Sequence, residues 1–215
     1  MSTMSNGFTL KEAAAIADLP ESVVRTAIEK KVIAPRSIRV GKAVRYAFDV
    51  RELYYAKLLS AFPLDLDRDD KRSLRDLVFR RTKTAGRWHT DGPDFVLKSG
   101  DLVLRVAVKH LRSHLAHNLA AYYRGRRRIV SDPGILSGEP VFEGTRIPLA
   151  HIAALIATGV DATEIMEDYP ALSGRDLAYA AIHARMKPHP GRPRKPLELR
   201  RRKPNERAER ATSDR

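Results

Sequence analysis

Three histidines and four aspartates are the side chains whose types and spacing come closest to a metal site. His110, His114 and His117 recur at helical spacing in one segment, and imidazole nitrogen is a common zinc ligand. No carboxylate or fourth ligand accompanies them, so the pattern favours an exposed polar helix face over a zinc centre. The chain has no cysteine, which excludes disulfides, thiolate metal sites and thiol catalysis.

The aspartates crowd into residues 65–70, where a nuclease would need clustered carboxylates to hold Mg²⁺. Asp65, Asp67, Asp69 and Asp70 all have basic neighbours, and no apolar strand precedes them to fix their positions. An EF-hand is excluded as well, because its glycine and terminal glutamate are missing. The sequence therefore predicts a protein that is not an enzyme and holds no metal or cofactor.

The charge of the chain points instead to a polyanionic partner. The formal net charge is +14, with an isoelectric point near 10.3. Residues 1–60 carry 10 basic and 6 acidic side chains (net +4), and residues 61–126 carry 14 and 8 (net +6). Residues 127–186 carry 5 and 8 (net −3), whereas residues 187–215 carry 11 and 4 (net +7). Phosphate contact is therefore expected outside residues 127–186.

The first sixty residues have the pattern of a small helical domain with a hairpin. Thr9 and Glu12 form a capping-box pattern before a helix, and Pro20 precedes a second one. Apolar and basic residues then alternate on both sides of Gly41, as in a two-stranded hairpin, and Asp49 caps a further helix. The predicted order is helix-turn-helix, two-stranded wing, helix.

This order, from Phe8 to about Ser60, resembles the winged-helix DNA-binding domain of the MerR and excisionase type. The resemblance implies that the second helix enters the major groove, where Arg25 would contact a base, and that the wing neutralises phosphates. The DNA-binding candidates are Ser22, Arg25, Thr26, Lys30, Arg39, Lys42 and Arg45. The alternative is that these are solubility charges on a small helical domain.

A turn-rich stretch, residues 131–149, introduces a second helical unit. Its motif residues are Gly138, Gly144, Thr145, Arg146 and Pro148. Gly144 supplies a turn, and Arg146 is expected either to pair with an acidic neighbour or to contact a partner. Three short helices follow, with starts near His151, Asp161 and Ser173, in the outline of a helix-turn-helix.

The strings GEPVFEGTRIP and ATGVDATEIMEDYPALSGRDLAYAA, within Ile129–Ala184, resemble the domain-of-unknown-function family numbered 433. Members often serve as antitoxins of VapB type, encoded beside a PIN-like toxin nuclease. The resemblance implies an antitoxin that neutralises such a toxin and represses its own operon by binding operator DNA. The alternative is a stand-alone MerR-like regulator in which this domain only dimerises.

The remaining segments are expected to link and to bind. Residues 61–126 should contain a short helix, a loop over Thr82–Pro93, a hairpin over Phe95–Leu104 and a longer helix. An isolated hairpin is marginal in water, so residues 94–148 are expected to form a homodimer contact. The basic tail, 188–215, is predicted to be disordered and to bind the toxin or, alternatively, to add DNA affinity. Its toxin-binding candidates are Leu197, Leu199, Arg200, Arg201 and Arg202.

Taken together, the sequence predicts a mainly α protein with small β-hairpins (α+β). Its four regions are a winged helix (1–60), a linking segment (61–126), a domain resembling family 433 (127–187) and the tail (188–215). No apolar run approaches the ~20 residues of a membrane helix, and no apolar leader is present, so a cytoplasmic location is expected.

Overall fold

The structure, a computed structural model, describes residues 7–40, 43–62 and 66–186. Within these ranges the chain is a mixed α and β protein of eight α-helices and three small antiparallel sheets. This confirms the predicted class at that level. No helix in the described ranges is long and apolar enough to cross a bilayer. Lys42 and the tail candidates lie outside the described residues, namely Leu197, Leu199, Arg200, Arg201 and Arg202.

The elements follow one another in short steps along the chain. The first half consists of α1 (Leu10–Ala17), α2 (Glu21–Glu29), β1 (Arg36–Val40), β2 (Ala43–Ala47), α3 (Val50–Ser60) and α4 (Arg68–Arg80). A four-stranded sheet then contains β3 (Thr84–Ala85), β4 (Trp88–Asp91), β5 (Asp94–Ser99) and β6 (Leu102–Val106). The rest comprises α5 (Lys109–Arg126), β7 (Ile129–Val130), a 3₁₀ turn (Leu136–Gly138), β8 (Val141–Phe142), α6 (Leu149–Ala157), α7 (Ala162–Asp168) and α8 (Gly174–Met186).

Helix starts follow the capping residues that the sequence indicated. The Thr9 hydroxyl accepts from the Glu12 amide, and the Glu12 carboxylate accepts from the Thr9 amide, which completes the predicted capping box of α1. Asp49 caps α3 in the same reciprocal way. At α7 the Asp161 carboxylate accepts from the Thr163 amide at 2.7 Å. These caps satisfy amide groups that have no partner within the helix.

The predicted loop over Thr82–Pro93 is wrong, because β3 and β4 lie there. Gly86 and Gly92 adopt left-handed φ values of 56° and 57°, so the turns that connect these very short strands need glycine. Trp88 is 1% exposed, and its ring meets that of Phe62 edge-on at 5.6 Å between centroids. The strands were missed because β3 is two residues long and β4 is mostly polar.

The hairpin predicted near Phe95–Leu104 is present as β5 and β6, but it is not isolated. The strand order is β3-β4-β5-β6, so β5 pairs within the chain with β4 as well as with β6. Part of the packing requirement that motivated a dimer is therefore met inside one chain. The outer edge of β6 has no strand partner in the described residues, and Leu102 and Val103 are 60% and 58% exposed.

One continuous core joins the two ends of the described chain. Helix α1 packs against α2 and α3, and also against α5 and α8. The Phe8 ring meets the Tyr122 ring at 5.6 Å, and Tyr122 in turn lies 6.1 Å from Tyr179 between ring centroids. Where α5 crosses α8, Gly125 is buried against the Tyr179 side chain. The N-terminal helices are thus held directly against the C-terminal ones.

Candidate nucleic-acid interface

The outer face of α2 carries the predicted DNA-reading side chains. Helix α2 begins after Pro20, and Val24, 3% exposed, is its one fully buried residue. The four candidates on this helix and at its C-terminal cap are all exposed: Ser22, Arg25, Thr26 and Lys30. The apolar spacing predicted this division of faces, because residues three and four apart share a helix face.

Arg25 forms an exposed ion pair with Glu21. Its Nη2 donates to Glu21 Oε1 at 2.7 Å, one helical turn earlier, and the side chain is 57% exposed. Exposed pairs at this spacing contribute only about 0.3–0.5 kcal/mol. Arg25 can therefore leave Glu21 for a base or a phosphate at little cost.

The hairpin places its basic residues on two faces. Arg39 pairs with Val44 in the register, whereas Arg45 pairs with Ile38, so Arg39 and Arg45 lie on opposite faces. Arg36 sits two residues before Ile38 and therefore shares a face with Arg45. The sequence reasoning missed Arg36, although the alternation along residues 36–40 was a signal that could have found it.

The base of the hairpin is fixed to the start of α1. Phe8 and Phe48 exchange both backbone hydrogen bonds, at 2.8 and 2.9 Å, and both side chains are buried. The Lys57 ammonium of α3 donates to the Asp18 carbonyl at the end of α1, at 3.1 Å. These contacts join the hairpin to α1 and α1 to α3.

The motif residues of the turn-rich stretch act mainly through the backbone. Gly138 and Gly144 take φ values of 86° and 75°, and Pro148 occupies the N-cap position of α6. The Thr145 hydroxyl donates to the Phe142 carbonyl at 2.8 Å and accepts from the Ile147 amide at 3.0 Å. These bonds close the tight turn between β8 and α6.

Arg146 is exposed and forms no ion pair with any residue in the described ranges, so the expected internal pair is absent there. Arg128 supplies the pair instead. Its Nε lies 3.4 Å from an Asp176 oxygen, and its Nη1 lies 3.9 Å from a Glu143 oxygen. The sequence analysis did not assign this role to Arg128.

Asp176 is the most buried carboxylate among the described residues, at 2% exposure. Its oxygen accepts from the Ser173 amide at 2.9 Å and from the Ser173 hydroxyl at 2.7 Å, which completes the cap of α8. Burial by itself raises the pKa of the Asp176 carboxyl, but the Ser173 hydrogen bonds and Arg128 outweigh it, so the pKa lies below its ordinary value. Asp176 is therefore a charged structural group.

A second carboxylate fastens α1 to α5. The Tyr122 hydroxyl donates to Glu12, and Arg126 donates to the same hydroxyl at 3.0 Å. Burial raises the pKa of Glu12, but hydrogen bonds from Tyr122 and Thr9 and the charge of Arg126 together bring it below its ordinary value. The pKa of Tyr122 is raised, first by burial and then by Glu12.

The histidines and aspartates do not assemble into a metal site in the described part of the chain, where no group of three or more potential ligands converges. His110, His114 and His117 are exposed on α5, on the polar side that the sequence predicted. Asp67 and Asp70 both bind the Arg87 guanidinium, at 2.8 and 2.6 Å. These two aspartates thus join α4 to the four-stranded sheet.

Comparison with known proteins gives one family match, confined to the C-terminal elements. Residues 129–184 match the sequence model of the family described as "Protein of unknown function (DUF433)". The uncharacterized protein y4eO of Sinorhizobium fredii (strain NBRC 101917 / NGR234) is 38% identical over 69 residues, which cover 32% of this chain and 31% of that protein. The match thus spans about a third of that relative's length.

Among solved structures, the crystal structure of Rv2018 from Mycobacterium tuberculosis is similar over 84% of this chain and 99% of that one, with 17% identity and a TM-score of 0.33.

The family match falls where the turn-rich motif predicted it. Residues 129–184, which contain β7, β8 and helices α6 to α8, are therefore a DUF433 domain.

Proposed function

We propose that this protein is an antitoxin that binds operator DNA through α2 and the β1–β2 hairpin and neutralises a PIN-like ribonuclease toxin. The observation that supports DNA binding is a set of exposed basic side chains at α2 and on the hairpin. Arg25 and Lys30 lie at α2, Arg36 and Arg45 share one face of the hairpin, and Arg39 lies on the other face. An α-helix fits the major groove, and arginine can bind guanine through two hydrogen bonds. The order of two helices, hairpin and helix is that of a winged helix-turn-helix.

The charge distribution favours this surface over the DUF433 domain. Residues 127–186 have a net charge of −3, and the three helices that they contain would bring more acidic than basic groups to a phosphate backbone. The antitoxin role rests on the family resemblance, since DUF433 members often accompany such toxins. The DUF433 domain would then serve the toxin or a second copy of the chain.

Arg25→Ala is expected to weaken binding to the cognate operator by about 1–3 kcal/mol and to relax its sequence preference. The reason is that Arg25 would lose a two-bond contact to a base, whereas its internal pair with Glu21 contributes little. Fluorescence anisotropy with operator and scrambled duplexes at matched salt measures both effects.

Arg80→Ala is the matched control, because Arg80 of α4 makes a comparable exposed pair with Asp76 at 3.3 Å. It should change operator affinity less than twofold (about 0.4 kcal/mol). Equal losses in the two variants would show a general charge effect and would contradict base contact by Arg25.

Truncation after Pro190 tests whether the basic tail binds the toxin. We expect the truncated chain to bind a PIN-like toxin at least about tenfold more weakly while its operator affinity is retained. An arginine among the metal-binding carboxylates of the toxin would make strong two-bond contacts, and these must offset an ordering cost of about 2–5 kcal/mol. Pull-down titration and ribonuclease assays measure the effect. Full neutralisation with reduced DNA affinity would assign the tail to DNA.

A stand-alone regulator is the second candidate, with the DUF433 domain used for dimerisation. The exposed edge of β6, with Leu102 and Val103 more than half exposed, supports a homodimer in either case, because an open strand edge pairs readily with another strand. A toxin that co-purifies with the chain, or a PIN-like coding frame beside its gene, would distinguish the antitoxin from the stand-alone regulator.

A further inference from the structure

A basic cleft lies between the end of α2 and the first half of α4. Its cavity volume is about 560 Å³, and Tyr55, Leu66 and Val32 contribute to its lining. Tyr55 and Leu66 are only 1% and 8% exposed, so part of the wall is apolar and shielded from water. The volume falls within the ~300–1,000 Å³ typical of sites for small ligands.

Six cations and one carboxylate line this cleft. The cations are Lys30 and Lys31 from α2 and the residues after it, and Arg68, Lys71, Arg72 and Arg75 from α4. The carboxylate is Asp67, and it is already bound by Arg87 at 2.8 Å. The cleft therefore has a large excess of positive charge, and like charges at such spacing repel one another.

Several of these cations are available to a ligand. Lys30, Lys31 and Arg68 form no ion pair with any residue of the described ranges. Arg72 lies 3.9 Å from Asp69, but the two side chains are 67% and 91% exposed, so water screens the pair. The Arg75 guanidinium lies 5.3 Å from the centre of the Phe79 ring, which leaves its hydrogen-bond donors for another acceptor.

Lys31, which lines the cleft, has an unusual backbone conformation. Lys31 has a φ of 55°, a left-handed conformation that glycine and asparagine adopt more readily than lysine. A glycine here would end α2 with less strain. The lysine instead adds a positive charge to the lining of the cleft.

We propose that this cleft binds a small polyphosphate, a ligand with two or three linked phosphate groups. A multiply charged anion would offset the charges of Lys30, Lys31 and Arg68, which form no ion pair in the described ranges. Arginine guanidinium groups bind phosphate oxygens through paired hydrogen bonds. The concave shape favours a compact ligand over the rod-like backbone of duplex DNA. Binding does not depend on the function proposed above; only competition with DNA does, because Lys30 belongs both to the cleft and to the DNA-facing side of α2.

Titration of the full-length, ¹⁵N-labelled chain with inorganic tripolyphosphate tests the proposal at the site itself. Two-dimensional amide NMR should show saturable shifts at Lys31, Val32 and Leu66, with inorganic monophosphate at equal ionic strength giving far smaller ones. The site-resolved readout is needed because residues 187–215, with 11 basic side chains, can attract the same anion. Shifts confined to those residues would overturn the proposal.

Two variants remove cleft charges without removing packed groups. Lys31→Asn introduces asparagine, which tolerates the left-handed conformation that Lys31 adopts. Arg68→Gln changes an exposed side chain of α4. Together they should weaken tripolyphosphate binding at the cleft by about tenfold or more. Arg80→Gln, on α4 but outside the cleft, should change tripolyphosphate affinity less than twofold (about 0.4 kcal/mol).

Equal losses of tripolyphosphate binding in the variant that combines Lys31→Asn with Arg68→Gln (the cleft variant) and in Arg80→Gln would show only an effect of net charge and would overturn the site. A further comparison distinguishes a small polyphosphate from DNA phosphates as the ligand of the cleft. If tripolyphosphate causes no shifts, but Lys31→Asn and Arg68→Gln weaken binding to a random duplex, the cleft takes DNA phosphates and the small-ligand proposal is wrong. If tripolyphosphate displaces operator DNA from the wild-type chain and not from the cleft variant, the proposal is supported and linked to DNA binding.

Discussion

Gly125→Ala is expected to lower the free energy of unfolding by about 2–3 kcal/mol. An added Cβ would lie 2.2 Å from the Tyr179 Cβ and 2.3 Å from its Cγ, distances that carbon atoms do not adopt. These atoms are next to the α8 backbone, so the helices must move apart, and overpacking of this kind costs about 1–3 kcal/mol. In an unobstructed helix the same change would stabilise by about 1 kcal/mol, so the sign of the effect is diagnostic.

Urea denaturation followed by circular dichroism measures the change. Gly174→Ala, at the start of α8, is the control, because an added Cβ there has no heavy atom within 4 Å. It should be neutral or slightly stabilising. If Gly125→Ala proved as stable as the wild type, α5 and α8 could not cross at this distance.

Asp176→Ala is expected to cost about 2–3 kcal/mol of stability. The carboxylate is buried, and its removal leaves the Ser173 amide and hydroxyl without an acceptor and Arg128 without its close partner. Loss of a helix cap contributes about 1 kcal/mol, and loss of a hydrogen bond to a charged group contributes about 1.5–3 kcal/mol. Asp161→Ala, which removes the exposed cap of α7, should have the smaller effect of the two.

The pH dependence of unfolding provides a second measurement for Asp176. Because its pKa is lowered in the folded state, its contribution is fully present above the unfolded value of about 3.9 and is lost as pH falls through the folded value. Asp176→Ala should therefore flatten the loss of stability below about pH 4. If the loss of stability below about pH 4 were the same in Asp176→Ala as in the wild type, Asp176 would not be charged in the folded protein.

Local patterns in the sequence predicted much of the local structure. Thr9 and Asp49 start helices as expected, because a cap and its partner lie three residues apart and need no distant contact. The exposed face of α2 followed from helical spacing, and the DUF433 segment from its turn-rich motif. Such features are encoded within a few residues of the positions at which they act.

Long-range features could not be predicted in this way. Arg87 binds carboxylates 17 and 20 residues earlier in the chain, and Arg128 binds one 48 residues later. Nothing in the local pattern selects those partners from other charged residues. The same limit applies to the packing of α1 on α8, since their contact joins segments more than 150 residues apart.

The position of α8 has a consequence for how the DUF433 segment can be moved between proteins. The inner side of α8 is covered partly by α6 of its own domain and partly by α5 and α1, which precede the matched residues. Arg185, one residue beyond the match, donates to the Ala15 carbonyl at 3.0 Å. A chimaera made by grafting residues 129–184 alone would therefore expose Tyr179 and its neighbours to water. The unit to transplant includes α5 and a surrogate for α1.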